Sequence, residues 1–315
     1  MAPLHGTTPL VEHTALSHAL DKRVFLKLEN LQASGSFKLR GIGRLCQNAH
    51  ARGVRRLICP SGGNAGFAAA VAGRALGMTT LIVVPATTPE SVHARIRTLG
   101  AEVIVSGGVW DEANQEALRL CGEPGSVYVP PFDHPDIWDG NATLIDEAAS
   151  QMKGEIEGGA FDAVVCAVGG GGLMAGVLHG LHRNGLQHVP VIAAETEGAA
   201  SFAAAVEAGE PVTLKAITSI AGSLGAKRVA DEAYAWTRRH EIKSAVVSDA
   251  DAVDACLRFA DDMRIIVEPA CGAALAVAYG ALPQLAPFKR PLIVVCGGIG
   301  VDLAKLATWK TQYSL

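Results

Sequence analysis

The sequence predicts an α/β protein with two open, twisted, mostly parallel sheets and flanking helices, and three observations carry that prediction. Short β-branched runs alternate with longer alanine-rich segments, which is the pattern of parallel strands joined by helical crossovers. Glycines gather at the carboxyl ends of the strand-like runs, where open α/β sheets hold ligands. Hydrophobic residues make up 49% of the 315-residue chain and charged residues only 18%, enough for one large or two ordinary cores.

Taken in order, residues 24–28 form the first strand-like run. A helix then begins near Ser36. On it Lys38, Ile42, Leu45, Cys46 and Ala49 share one stripe, and Arg40, Arg44, Gln47, Asn48 and Ala51 form the opposite, solvated one. Strands at residues 56–59, 80–84 and 102–105 alternate with helices at 65–76, 90–99 and 111–120. The run Pro130-Pro131-Phe132-Asp133-His134-Pro135 interrupts the pattern near mid-chain and marks the expected crossing between domains. Beyond it come a helix at 141–152, a strand at 163–168, a helix at 173–182, a strand at 189–194, a helix at 251–264 and a last strand at 292–296. The expected division is a small domain over residues 40–133 and a large one built from 1–39 and 134–315. No internal repeat is present.

Charge and cysteine usage narrow the function classes. With 27 basic against 31 acidic residues, a net charge of -4 and no long basic run, the chain lacks the electrostatic footprint of a nucleic-acid or acidic-membrane binder, so small molecules are the expected partners. The seven cysteines, at positions 46, 59, 121, 166, 256, 271 and 296, include no CxxC pair and read as reduced residues of a cytosolic protein. The opening Met-Ala-Pro-Leu-His-Gly lacks a secretory pattern. The run from Ala163 to Leu178 is interrupted by four glycines and is too short to span a bilayer.

Lys38 is the most informative residue. A lysine on an apolar stripe loses hydration of its charged form, which makes a neutral nucleophilic amine available for Schiff-base chemistry. The alternative is a packed stem with the ammonium snorkelling to water. Two strand-glycine-helix units accompany it: Cys59-Pro60-Ser61-Gly62-Gly63-Asn64-Ala65-Gly66 and Val168-Gly169-Gly170-Gly171-Gly172-Leu173. Each can hold an anion on helix N-terminal N–H groups, so the pair suits a cofactor phosphate and a substrate carboxylate. A rival reading takes Gly170-x-Gly172-x-x-Ala175 as a dinucleotide fingerprint with Glu195 as the ribose acid, which leaves Lys38 and the first loop without a role. There is no GxSxG elbow and no HExxH. His179 and His182 share a helical face without a third ligand, and Asp261 and Asp262 read as helix surface.

These residues resemble the fold-type II pyridoxal-phosphate enzymes, tryptophan synthase β-like in fold, and among them the L-serine/L-threonine dehydratase (serine dehydratase) family. The matching stretches are Ser34-Gly35-Ser36-Phe37-Lys38, Ser61 to Gly66, Gly169 to Gly172, Ile217-Thr218-Ser219 with Leu224-Gly225, Val267-Glu268-Pro269-Ala270-Cys271-Gly272, and Val295-Cys296-Gly297-Gly298. They span nearly the whole chain in the family's order. The resemblance implies pyridoxal 5'-phosphate in a cleft between the two domains, held by Lys38 as a Schiff base. Phe37 and Ser223 would lie on the two ring faces, Asn64 at the ring hydroxyl, Gly169, Gly170, Gly171 and Gly172 on the phosphate, and Cys296 opposite the pyridine nitrogen. Ser61, Gly62, Gly63, Asn64 and Ala65 would receive the substrate carboxylate. A monovalent cation such as potassium would sit at Glu195 with carbonyls of Ala199, Leu224 and Ala226.

The implied activity is β-elimination of L-serine, and of L-threonine, to pyruvate or 2-oxobutanoate and ammonia, in a cytoplasmic homodimer serving amino-acid catabolism. Other readings are a serine racemase or a threonine synthase-like enzyme, a nicotinamide-dependent oxidoreductase, and a non-catalytic amino-acid-binding relative. Serine racemases of this fold carry serine where this chain has Gly62 and histidine where it has Ala65, and cysteine and threonine synthases usually place serine or threonine at the position of Cys296. Biosynthetic threonine dehydratases add a regulatory domain beyond that position, where this chain ends at Leu315. The Gly297-Gly298-Ile299-Gly300 turn lacks the polar residue common there in relatives.

Overall fold

A four-stranded and a six-stranded sheet organise the chain in the computed structural model, which describes residues 1–155 and 160–315. The chain runs β1 (Leu10–Glu12), α1 (Thr14–Leu20), β2 (Phe25–Lys27), α2 (Lys38–Ala51), β3 (Arg56–Cys59), α3 (Asn64–Leu76), β4 (Thr79–Val84) and α4 (Glu90–Thr98). It continues through β5 (Glu102–Val105), α5 (Trp110–Leu120), β6 (Ser126–Tyr128), α6 (Pro135–Glu155), β7 (Ala163–Ala167), α7 (Gly172–Arg183), β8 (Val191–Thr196) and α8 (Ser201–Ala208). The last elements are α9 (Asp231–Ala235), β9 (Ile242–Val247), α10 (Asp249–Met263), α11 (Pro269–Tyr279), β10 (Pro291–Val294) and α12 (Leu303–Gln312).

Contacts divide the chain into one unit of Met1–Gly6 and Gln32–Asn141 and a second of Thr7–Leu31 and Ala142–Leu315. The borders differ from residues 40 and 133 for local reasons. Lys38 Nζ donates to the Pro131 carbonyl at 2.7 Å, and Gly41 N–H donates to Asn141 Oδ1 at 3.1 Å, so the start of α2 and the first turns of α6 belong with the first unit.

In the first unit the strands lie in the order β5-β4-β3-β6, all parallel. Ile58, Leu81 and Val83 of the central strands pack against Ala113, Ala117 and Leu120 of α5. Burial of such aliphatic side chains, at about 25 cal/mol per Å² of apolar surface, is the main stabilising term. The helix predicted from Lys38 forms, and Ile42, Leu45, Cys46 and Ala49 are buried as its stripe requires. Arg40 corrects the prediction: expected on the solvated face, it is fully buried. The cause is α6, whose Gly140 sits so close to α2 that a Cβ there would lie 2.7 Å from Gly41 Cα. Two glycines thus let the helices touch and cover Arg40.

In the second unit the order is β1-β2-β10-β7-β8-β9, with β1 the single antiparallel strand of that sheet. The run 163–178 is β7, a glycine turn and α7; among the described residues no helix is long and apolar enough to cross a membrane. Every residue of α11 is buried. It is apolar all round, so it carries no amphipathic signal, and the sequence reading did not find it.

Candidate functional site

The first unit builds its loop at the end of β3, a central strand of its sheet. Pro60 stops the strand, and its carbonyl accepts the Trp110 Nε1–H at 2.6 Å, which ties the loop entrance to the start of α5. Ser61 Oγ accepts the Gly63 N–H at 3.2 Å, and α3 starts at Asn64, a residue only 7% exposed. Gly66 is required by this geometry, because a Cβ there would run into the Ser61 carbonyl. Gly62 is less constrained: its Cβ would lie 3.0 Å from Thr88 Cγ2 and 3.1 Å from Val84 Cγ1, tight but not blocked. The half-buried Phe37 precedes the first turn of α2, and Lys38 opens it.

Lys38 is half-buried. Its Nζ is held on the Pro131 carbonyl, and its charge reaches Cys59, whose thiol burial pushes up to about 12 while Lys38 opposes that rise. The structure therefore brings Lys38 next to the strand end from which the Ser61–Asn64 loop emerges. Lys27 is the more deeply buried lysine, yet its ammonium meets Thr8 O at 2.7 Å, Gln151 Oε1 at 2.8 Å and Glu147 Oε2 at 2.9 Å. Three acceptors for three donors make Lys27 a structural cation. Burial alone does not mark a reactive lysine.

The second unit repeats the device after β7. Gly169 to Gly172 turn into α7, with Gly171 at φ +88°, a backbone region that L side chains rarely adopt. The loop is backed tightly. A Cβ on Gly169 would lie 2.9 Å from Leu224 Cα and 3.1 Å from the Ser223 carbonyl, and one on Gly171 would run into Ala233 Cβ. Ala230 N–H donates to the Gly170 carbonyl at 3.1 Å. Ser223 lies in the 3-10 turn Gly222–Leu224, so this part of the predicted set is brought together.

Cys296 follows β10 and is buried beside Cys166 of β7. A hydrogen bond with Cys271, then burial, raise its thiol well above the ordinary range, so it stays protonated. Cys271, at the start of α11, was missed as a partner because its helix gives no periodic signal. Glu268 precedes it, buried, and accepts the Gly300 N–H at 3.1 Å; its side chain occupies the space where a Cβ on Gly298 would fall.

Glu195, at the end of β8, is fully buried, and both oxygens accept backbone N–H groups at the start of α8, Phe202 and Ala203, each at 2.8 Å. Burial raises its carboxyl to about 7, against the lowering effect of those two bonds. Ala199 is buried nearby in sequence, the Leu224 carbonyl accepts the Ala226 N–H at 2.7 Å, and Ser201 Oγ is fully buried without a hydrogen-bond partner. With its oxygens turned to a helix start, Glu195 is poorly disposed for the ribose of a dinucleotide.

The remaining predicted groups are structural. His179 and His182 stack edge-on against Trp236 at 5.3 and 4.8 Å, and no group of three or more His, Cys, Asp or Glu able to hold a metal occurs among the described residues. Asp262 is more than helix surface: it accepts the Tyr279 O–H at 2.7 Å and lies 3.4 Å from Nε2 of the buried His13. None of the cysteines is disulfide-bonded.

The family model for pyridoxal-phosphate dependent enzymes matches residues 1–297. A protein named serine dehydratase-like from Rattus norvegicus is 49% identical over 318 residues, covering 98% of this chain and 95% of its own. An L-serine dehydratase/L-threonine deaminase from Bos taurus is 46% identical over 322 residues, covering 99% and 97%. Among solved structures, a fungal L-serine ammonia-lyase from Rhizomucor miehei superposes with a TM-score of 0.91 at 39% identity, covering 98% of this chain and 99% of that one.

Proposed function

Because this chain belongs to the pyridoxal-phosphate dependent enzymes, we propose that it is an ammonia-lyase that eliminates water from L-serine, and from L-threonine, releasing ammonia with pyruvate or 2-oxobutanoate. The observation that carries this reading is the similarity to serine dehydratases over nearly the full chain, in a sequence that has Lys38 and both glycine loops. The residues fit the cofactor. A loop without Cβ atoms, opening a 12-residue helix, is a cradle for a phosphate group.

Bound pyridoxal phosphate supplies an electron sink that acidifies the Cα–H of an amino acid. Lys38 Nζ would anchor the cofactor aldehyde, and as a neutral amine it would serve as the base for the substrate's Cα proton. Gly169, Gly170, Gly171 and Gly172 would hold the phosphate, Asn64 the ring hydroxyl, and Phe37 and Ser223 the two faces of the ring. Ser61, Gly62, Gly63, Asn64 and Ala65 receive the substrate carboxylate on a hydroxyl and the N–H groups opening α3. Cys296 would be the residue at the ring nitrogen, and its raised pKa supports a neutral thiol there. A neutral partner would make the bound ring a weaker electron sink than a carboxylate partner would.

A monovalent cation at Glu195 belongs to the same reading, with carbonyls of Ala199, Leu224 and Ala226. It is supported by a fully buried carboxylate raised to about 7 and by the unpartnered Ser201 Oγ, since a cation would relieve the cost of burying that charge. Equal rates in potassium and tetramethylammonium would leave Glu195 only its helix-capping role. A cytosolic homodimer completes the proposal, in keeping with cysteines that form no disulfide. The deciding experiment supplies purified protein with pyridoxal phosphate and L-serine. Pyruvate and ammonia in equal amounts are expected, and D-serine or no product would refute the lyase reading.

A further inference from the structure

Between Gly209 and Ala221 the chain has neither helix nor strand. Yet this irregular segment leads into the Gly222–Leu224 turn that lies against Gly169. Its end is fixed by one carboxylate. Asp249, the first residue of α10, accepts the Ser219 Oγ–H at 2.5 Å and the Ile220 N–H at 3.0 Å. Ser219 Oγ in turn accepts the Ala221 N–H at 3.0 Å and lies 2.8 Å from Oγ1 of Thr196, which is fully buried at the end of β8. One residue upstream, Thr218 N–H donates to the Gly198 carbonyl at 3.0 Å. Tyr313, just beyond α12, lines the same surface cavity as Asp249, and burial and the nearby carboxylate raise its pKa.

The direction of every bond in this clamp follows from Asp249. A carboxylate offers acceptors only, so Ser219 must give it the single hydroxyl proton. Ser219 Oγ then has lone pairs left for the Ala221 N–H and the Thr196 O–H. An asparagine at 249 keeps the shape, but it can hold the Ile220 N–H on Oδ1 only by donating from its NH₂ to Ser219 Oγ, which reverses the Ser219 hydroxyl. The near-isosteric change therefore removes the clamp's charge and reverses its direction while leaving its volume.

We propose that Asp249 is a positioning residue for the cofactor's phosphate: through Ser219 and Ile220 it sets the turn that backs Gly169. This rests on the reading that Gly169 to Gly172 bind that phosphate. The turn it sets lies against Gly169 of the glycine loop, so the effect of breaking it is selective for ligands that carry a phosphate. A general scaffold role for Asp249 would have no such selectivity.

The test titrates the protein with pyridoxal phosphate and with pyridoxal, which lacks the phosphate, following the cofactor absorbance. Asp249→Asn is expected to weaken pyridoxal phosphate by about tenfold or more, as for loss of a hydrogen bond to a charged group, while pyridoxal binding changes less than about twofold. Ser219→Ala, which removes the hub but keeps the carboxylate, should act in the same direction, and the double variant should be no worse than Asp249→Asn alone. It carries the same readouts should Asp249→Asn not fold. Equal losses for both ligands, or an unchanged preference for the phosphate form, would overturn the proposal. A wild-type protein that holds both ligands equally would overturn the phosphate-loop reading and the proposal with it, whereas a wild-type preference retained by Asp249→Asn would overturn the proposal alone.

Discussion

The loop at Ser61–Asn64 and the loop at Gly169–Gly172 are the same backbone device in two different surroundings. Each leaves the carboxyl end of a buried parallel strand and opens a helix, α3 or α7, so each offers N–H groups and the positive end of a helix. They differ in what surrounds the backbone. The first keeps side chains with polar reach, Ser61 and Asn64, and its glycine constraint is internal, from Gly66 against the Ser61 carbonyl. The second has no side chains, and its constraint comes from outside, from Ser223, Leu224 and Ala233 pressed against Gly169 and Gly171. A loop that offers side-chain donors suits a small, exchangeable carboxylate. A bare cradle wedged from behind suits a phosphate that stays in place.

The comparison can be broken at several points. Lys38→Ala should have the largest effect, because it removes the base whichever loop is filled: elimination should fall on the order of 10³-fold or more, measured as pyruvate release at saturating cofactor. Gly171→Ala comes next. It forces a side chain into φ +88° and into Ala233, a strain of about 1–3 kcal/mol, so pyridoxal phosphate should bind roughly 10- to 100-fold more weakly in an absorbance titration while the KM for L-serine on loaded protein holds. Ser61→Ala should show the reverse pattern. Losing a hydrogen bond to a charged group, about 1.5–3 kcal/mol, should raise the KM for L-serine about tenfold or more and leave cofactor affinity unchanged.

The smallest effect is on stability and should spare both loops. His13 Nδ1 accepts the Leu16 N–H at 3.2 Å, so the neutral ring carries its proton on Nε2, 3.1 Å from the Tyr279 hydroxyl. Desolvation lowers its pKa below 6.5, ahead of the opposing pull of Asp262. The unfolded chain then binds the proton more readily, so this contribution is complete above pH 6.5 and is lost as pH falls through the lowered native value. Unfolding free energies from urea titrations should decline over that range with a slope of at most about 1.4 kcal/mol per pH unit from this residue. His13→Asn should remove that part of the decline, and an unaltered profile would contradict the assignment.

Lys38 and the two loops were legible because glycine runs at strand ends and a lysine on an apolar stripe are local signals. Arg40 was misread for the same reason: nothing in α2 announces that Gly140 of another helix will cover it. The strand at Ile242–Val247 was missed, since it is only partly buried and carries Lys243 and Ser244 in its middle. The helix Pro269–Tyr279 was missed for the opposite reason, being buried on every side. Asp249, Ser219 and Cys271 act through hydrogen bonds between segments distant in sequence, or on a helix with no polar face. Such pairings leave no period to read.

The most direct test of the central claim is to reduce pyridoxal-phosphate-loaded protein with borohydride, digest it and locate the adduct by peptide mass. A single reduced cofactor adduct on Lys38, with Lys27 unmodified, is the result expected. An adduct on another lysine, or none, would contradict Lys38 as the anchor and the elimination chemistry built on it.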